Sequence, residues 1–214
     1  DAILIASGNR LARRLTVPGS ELQGVYWGLD FLKFVKKGEK APIGQKVCVI
    51  GGGNVAVDAA MSARRLGAQD VRIVCLEKPD EMPAYPWEIA QAVEEGIAVE
   101  NNWGAEAVHG AEGRVAGIVC VRCVCVFDRE GRFNPRYDSS VTRRFDADTV
   151  IFAVGQAPDT DFIDVGGVCT GKEGLIDVDD GLTTGAPGIF AAGEAVTGPS
   201  SIIHAIAQGR KAAM

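Results

Sequence analysis

Histidine is almost absent from this sequence: His109 and His204 are the only two in 214 residues. They lie far apart, with no nucleophile pattern around either, so His-based nucleophilic or acid–base catalysis has little to build on. Basic charge is also short. Lys and Arg number 22 against 28 Asp and Glu, a net charge of −6, so the electrostatic footprint of a nucleic-acid binder is missing. No apolar run approaches the roughly 20 residues that cross a bilayer, so no membrane partner is expected. The opening, Asp1-Ala2-Ile3-Leu4-Ile5-Ala6-Ser7-Gly8, has no basic leader and no cleavage site. It reads as a buried strand entering a glycine turn. Because no Met precedes it, the chain is expected to be a fragment of something longer.

The six cysteines, at 48, 75, 120, 123, 125 and 169, do not form a secreted disulfide pattern, and a reducing cytoplasm is the expected setting. Cys48 and Cys75 fall inside apolar strand patterns, where Cys behaves as a small hydrophobe. Cys120, Cys123 and Cys125 share one strand-like stretch, Val119–Phe127. Strict alternation puts Cys120 on the face opposite the other two, a poor grip for one metal. Strand packing is the favoured reading and a metal site the weaker one.

What the chain does have is glycine, 27 residues of it, clustered at particular places, as at tight turns and ligand approaches. From Lys46 the pattern is β-α-β. Val47–Ile50 is an unbroken apolar run, the mark of a strand covered on both faces; Gly51-Gly52-Gly53 turns; Asn54–Leu66 is an Ala-rich helix ended by Gly67; Val71–Leu76 is the next strand. Before this unit, residues 1–8 read as a strand, 9–21 as a loop and Val25–Lys37 as a helix stopped by Gly38, with Pro42-Ile43-Gly44 opening the new unit. After it come a helix at Tyr85–Glu95 and a strand at Ile97–Glu100. Antiparallel strands at Val115–Phe127 and Val141–Phe145 flank the turn 128–132. A buried strand at Asp148–Val154, a short strand at Gly188–Gly193 and a helix from Ser200 close the chain. The expected fold is α/β: a Rossmann-like NAD(P)-binding domain with a parallel sheet plus an antiparallel excursion.

Gly51-x-Gly53-x-x-Ala56, between strand and helix, has the context of a dinucleotide fingerprint. Gly51 permits the tight turn, Gly53 lets a diphosphate approach the backbone, and a small residue at 56 lets helix and strand pack. The amides of Gly51, Gly52, Gly53, Asn54, Val55 and Ala56 then surround the phosphates at the positive end of the helix dipole. Glu77 stands 21 residues past Ala56, near the roughly 20-residue spacing of a carboxylate that binds a ribose 2′-hydroxyl. A carboxylate there repels the 2′-phosphate of NADP, so NAD(H) is favoured over NADP(H). Lys78 is the single nearby cation, a candidate contact or an ordinary solvated lysine.

With these residues on the page, a family resemblance becomes visible. Lys46–Ala68, followed by Glu81-Met82-Pro83-Ala84 and Glu94-Glu95-Gly96, resembles the small (beta) subunit of glutamate synthase and related flavin-dependent NAD(P)H oxidoreductases. Ala147–Pro158 and Gly188–Ala212 resemble the two flavin-domain segments that follow the nicotinamide domain, and Asp1–Gly8 the strand before it. The resemblance implies a nicotinamide domain inserted into an FAD domain, with electrons passed on to a partner redox subunit or domain carrying iron–sulfur clusters. It divides the chain into 1–40 (partial FAD-domain strand and linker helix), 41–153 (NAD(P)-binding domain) and 154–214 (C-terminal FAD-domain segment). The family's N-terminal glycine motif for FAD and its iron–sulfur cysteines have no counterpart in these residues. FAD is therefore expected in the full-length parent and not on this chain alone.

Further site residues come from that resemblance. Gly155 and Gln156 match a loop beside the nicotinamide, although Gly155 also suits a strand end. Gly193 and Glu194 match a motif that usually closes in Asp and contacts the flavin ribityl chain; Ser200 and Ser201 open a helix whose amides face the flavin, and Ser200 also reads as a helix N-cap. The family commonly carries two arginines where Leu76 and Glu77 stand, a departure that favours NAD(H). No side chain is expected to act as catalytic acid or base, because the cofactors do the chemistry. A stand-alone NAD-dependent dehydrogenase and a non-enzymatic NAD-binding module are the competing readings.

Overall fold

The computed structural model describes residues 1–39, 43–161, 163 and 166–214. The expected boundary at 40/41 and the start of a unit at Pro42 lie outside the described residues. In chain order the strands are β1 (Ile3–Ile5), β2 (Leu11–Ala12), β3 (Val25–Trp27), β4 (Lys46–Ile50), β5 (Asp70–Val74), β6 (Ala98–Glu100), β7 (Trp103–Ala111), β8 (Arg114–Phe127), β9 (Phe133–Phe145), β10 (Thr149–Phe152), β11 (Gln156–Ala157) and β12 (Ile189–Ala191). The helices are α1 (Gly28–Lys36), α2 (Asn54–Arg65), α3 (Pro86–Glu94), α4 (Glu194–Thr197) and α5 (Ile202–Ala212). Two compact units result, one of Ala12–Gly155 and one of Asp1–Leu11 with Gln156–Met214.

The larger unit is built on a five-stranded parallel sheet in the order β3-β10-β4-β5-β6. Alternation along each strand feeds two separate cores. Val47, Val49, Ile73 and Ile151 pack under the helices with Phe31, Ala56 and Ala60. Cys48, Ile50, Val74, Val150 and Phe152 face the other way, against Ile118, Cys120 and Phe145 of the antiparallel sheet β7-β8-β9. Both faces are covered, which is why β4 and β10 read as continuous apolar runs and not as alternating ones. The sheet runs from β4 to β5 on one side and reaches β10 on the other. The carboxyl end of β4 is therefore the topological switch point, where α/β sheets hold their ligands. The expected Rossmann-like α/β architecture is the one observed.

Two local expectations are corrected. Val25–Trp27 is a strand, hydrogen-bonded in register with Val150–Phe152, and the helix begins only at Gly28; Trp27 stacks on Phe152 at 5.3 Å between ring centroids, a sheet contact that outweighs the helical spacing. The second antiparallel strand runs the whole way from Phe133 to Phe145, not from Val141. Cys120 and Cys123 are both buried, Cys120 in the core beneath the parallel sheet with Cys48 and Cys123 near Glu77, so the antiparallel sheet is covered at both cysteines. Strand β7 and the four-residue helix α4 were not anticipated as separate elements.

The smaller unit pairs β1 with β12 in parallel. Its core is Ile176, Ala191 and Ala195, with Ile5, Val168, Val178 and Val196 packed against it. Helix α5 buries none of its residues. No helix among the described residues is long and apolar enough to cross a membrane.

Candidate functional site

Each glycine of the bend after β4 has its own physical reason. Gly51 has φ +137°, and a Cβ there would sit 2.3 Å from the carbonyl oxygen of Ala153; backbone meets backbone, so no side chain fits. Its N–H donates to Val74 O at 2.9 Å, tying the bend to β5. A Cβ on Gly52 would lie 2.6 Å from Glu77 Oε2. Gly53 differs from both. Its φ is −92° and the nearest atom to an added Cβ is Pro83 Cγ at 4.0 Å, so the fold itself does not demand glycine. That side of the bend is open.

Helix α2 starts at this opening without a side-chain cap and without an acid in its first turn. The first amides of any helix have no intrahelical partner, and no side chain of this helix supplies one. Gly53 O accepts from Ala56 N (2.9 Å) and Val57 N (3.2 Å), which sets the helix running immediately. Ala56 is fully buried and lies 3.6 Å from where a Gly51 Cβ would be, the close helix–strand approach for which the third fingerprint position is kept small.

Glu77 is held over the bend from behind. Its carbonyl oxygen accepts from Asn101 Nδ2 at 3.1 Å and from Asn102 N at 3.2 Å. Asn101 Nδ2 also reaches Cys75 Sγ at 3.3 Å. The half-buried carboxyl titrates above the ordinary Glu value, first because burial penalises the charge and further because Glu81 adds negative charge nearby. Burial likewise pushes the Cys75 thiol up to about 12, keeping it protonated. Lys78 is exposed and paired with Glu81 at 3.0 Å, not with Glu77. The structure thus brings Gly51 through Ala56 together with Glu77 and leaves Lys78 outside that group. Gly155, at φ +119°, lies two residues after Ala153, whose carbonyl lies against Gly51, and its own oxygen accepts from Arg13 N at 3.1 Å. Gln156 belongs to the other unit.

Sequence reasoning missed the clamp on the outer wall. Ala84 N donates to Gly52 O at 3.1 Å, and Tyr85 N donates to Asn54 Oδ1 at 3.0 Å. The segment from Lys78 to Tyr85 is thereby strapped to the bend at both its glycine and its helix start. Only the Met82-Pro83-Ala84 run hinted at it.

In the smaller unit, Gly193, Glu194, Ser200 and Ser201 come together with Gly8 and Ala205 around a cavity of about 290 Å³. Glu194 Oε1 accepts from Ser200 N at 2.9 Å, so the carboxylate bridges the start of α4 to the start of α5. Ser201 is the N-cap of α5, accepting from His204 N at 3.3 Å, and Ser200 Oγ lies 2.9 Å from His204 Nδ1. The N-cap expected at Ser200 is therefore Ser201. Gly193 N donates to Gln208 Oε1 at 2.6 Å, a partner that sequence spacing does not reveal. Ser7 Oγ and both amide atoms of Asn9, flanking Gly8, are buried without a hydrogen-bond partner. Orphaned buried polar atoms are rare.

A family description for pyridine nucleotide-disulphide oxidoreductases matches residues 1–209. The chain belongs to that family. Over 220 residues it is 36% identical to the NADP(+)-dependent formate dehydrogenase subunit beta of Moorella thermoacetica, covering 100% of this chain and 31% of that protein. It is 34% identical over 230 residues to the glutamate synthase [NADPH] small chain of Azospirillum brasilense, covering 99% and 47% respectively. This chain thus spans less than half the length of either relative. Among solved structures, Mycobacterium tuberculosis FprA in complex with NADPH superposes with a TM-score of 0.76 at 20% identity, over 99% of this chain and 61% of that one. At that identity the likeness speaks for the fold alone. Both relatives carry NADP(+) or NADPH in their names, which lends no support to a preference for NAD(H).

Proposed function

We propose that this chain is the dinucleotide-binding part, with flanking flavin-domain segments, of an FAD-dependent NAD(P)H oxidoreductase that delivers electrons to a partner redox subunit, similar to the glutamate synthase small chain. The observation that carries the reading is Gly53: a glycine that the fold leaves unconstrained, at the open and uncapped start of α2. A diphosphate close to the backbone supplies the missing reason for it. In this reading the amides from Gly52 to Val55 hold the diphosphate, since the Ala56 N–H is already given to Gly53 O, and Glu77, whose backbone carbonyl is held by Asn101 and Asn102, accepts a hydrogen bond from the adenosine ribose. Gly155, at the end of the larger unit, borders the nicotinamide. Ala12–Gly155 acts as the dinucleotide domain and the smaller unit as part of the flavin domain.

The residues of the smaller unit fit a flavin. Glu194 keeps Oε2 on the Gly8 side of the cavity, 3.9 Å from an added Gly8 Cβ, where it can accept from a ribityl hydroxyl. Ser200 and Ser201 present the start of α5, and the orphaned atoms of Ser7 and Asn9 offer donors and acceptors to a polar ligand. When bound, the flavin supplies a hydride acceptor for the reduced nicotinamide. No side chain is assigned as acid or base; the protein orients and excludes water. Rapid mixing of the complete protein with NADH and NADPH tests this directly. Bleaching of the flavin absorbance supports it, and an unchanged spectrum with both overturns it. The 214-residue chain by itself is expected to purify without flavin.

Glu77 favours NAD(H) in this reading, since a carboxylate beside the ribose repels a 2′-phosphate, and Lys78 is already engaged by Glu81. Glu77→Arg should reverse the preference by tenfold or more, about 1.4 kcal/mol or above. Calorimetric titration with NADH and NADPH measures it; a wild-type chain that prefers NADPH contradicts the assignment of Glu77.

A further inference from the structure

Tyr85 and Trp87 stand out on the surface of the larger unit. Their rings lie nearly parallel, 6.1 Å apart at 11°, and remain 52% and 63% exposed. Two large aromatic side chains are ordinarily placed where their area is covered. Among the described residues they stay half or more exposed, and yet their position is fixed. Tyr85 N is hydrogen-bonded to Asn54 Oδ1, the side chain of the first residue of α2, Ala84 N to Gly52 O, and Pro86 sits in the first turn of α3. The pair is therefore strapped to the glycine bend.

The sheet order says which half of a dinucleotide it meets. β5 flanks β4 on one side and β10 on the other. Glu77 follows β5, and the segment that carries Tyr85 leaves from Glu77, so both belong to the adenosine side of the bend; Gly155 follows β10, on the nicotinamide side. The geometry points to Tyr85 and Trp87 as a stacking platform for the adenine ring of the bound dinucleotide. A purine face extends a pair of parallel rings, a contact that depends on the π surface and not on a particular hydrogen bond. This inference rests on the dinucleotide reading of the bend and assigns two further binding residues to it.

The test titrates the 214-residue chain with NADH, ADP-ribose and reduced nicotinamide mononucleotide, following tryptophan emission and heat. Substitutions Tyr85→Ser with Trp87→Leu remove the platform; Tyr85→Phe with Trp87→Phe preserve it. Both residues are exposed, so thermal midpoints should be equal throughout. The platform predicts that ADP-ribose quenches emission from Trp87, and that the Ser/Leu variant binds NADH and ADP-ribose about five- to tenfold more weakly. Binding of the mononucleotide should be unchanged and the Phe/Phe variant should regain affinity. Equal affinities in the wild type and the Ser/Leu variant overturn the platform while leaving the bend intact. Failure of the wild type to bind NADH and ADP-ribose overturns the dinucleotide reading and the platform with it.

Discussion

The two units of this chain bury apolar surface very differently. In Ala12–Gly155 the central strands are covered on both faces, and Ile73, Ile118 and Ile151 are fully buried. In the unit of Asp1–Leu11 and Gln156–Met214 the core cluster is one isoleucine, Ile176, with two alanines, Ala191 and Ala195, and partly buried residues packed against them. There Ile202, Ile203 and Ile206 of α5 stand 80%, 76% and 67% exposed. A helix of 11 residues without a buried face gains little from packing and is marginal by propensity alone. The comparison teaches that one unit is organised by its own core. The other is organised around its glycine turns and the Gly193–Glu194–Ser200 contacts, an arrangement suited to cover by something else.

This contrast can be broken by mutation. Ile151→Ala should cost about 2–5 kcal/mol, the usual loss for a fully buried large side chain. Ile206→Ala should stay within about 0.5 kcal/mol, as for exposed positions. Urea unfolding followed by circular dichroism measures both, and equal costs would dissolve the distinction between the units. Gly51→Ala should cost roughly 2–3 kcal/mol, because it combines a positive φ with a collision against Ala153 O. A thermal midpoint equal to wild type would show that the bend has slack. The smallest effect concerns protonation. Burial raises Glu77 in the folded state, so the folded chain holds that proton more tightly than the unfolded one. The resulting stabilisation is present below the unfolded carboxylate pKa and is lost as pH rises through the raised folded value. Glu77→Gln should flatten the stability profile across that window, and an unaltered profile would remove Glu77 as its source.

Much of the dinucleotide region is legible from residue order. The runs at Val47–Ile50 and Thr149–Phe152 announce strands covered on both faces, and the Gly51–Gly53–Ala56 spacing announces the turn. The strand Val25–Trp27 was hidden because three apolar residues in front of Gly28 extend the helical pattern smoothly. The full length of β9 was hidden because its outer residues, such as Arg136, Asp138 and Arg143, carry polar groups on both sides of the alternation. At the candidate site the glycines could be read locally. The Asn54–Tyr85 and Gly193–Gln208 bonds could not, since each joins a side chain to backbone far away in sequence.

One substitution bears most directly on the whole account, and it is Gly53→Val. A Cβ at this position meets only Pro83 Cγ, at 4.0 Å, so folding stability should change by no more than about 1 kcal/mol, while NADH affinity measured by calorimetry should fall at least tenfold as the diphosphate loses its approach. A Gly53→Val chain that binds NADH as tightly as the wild type would contradict the assignment.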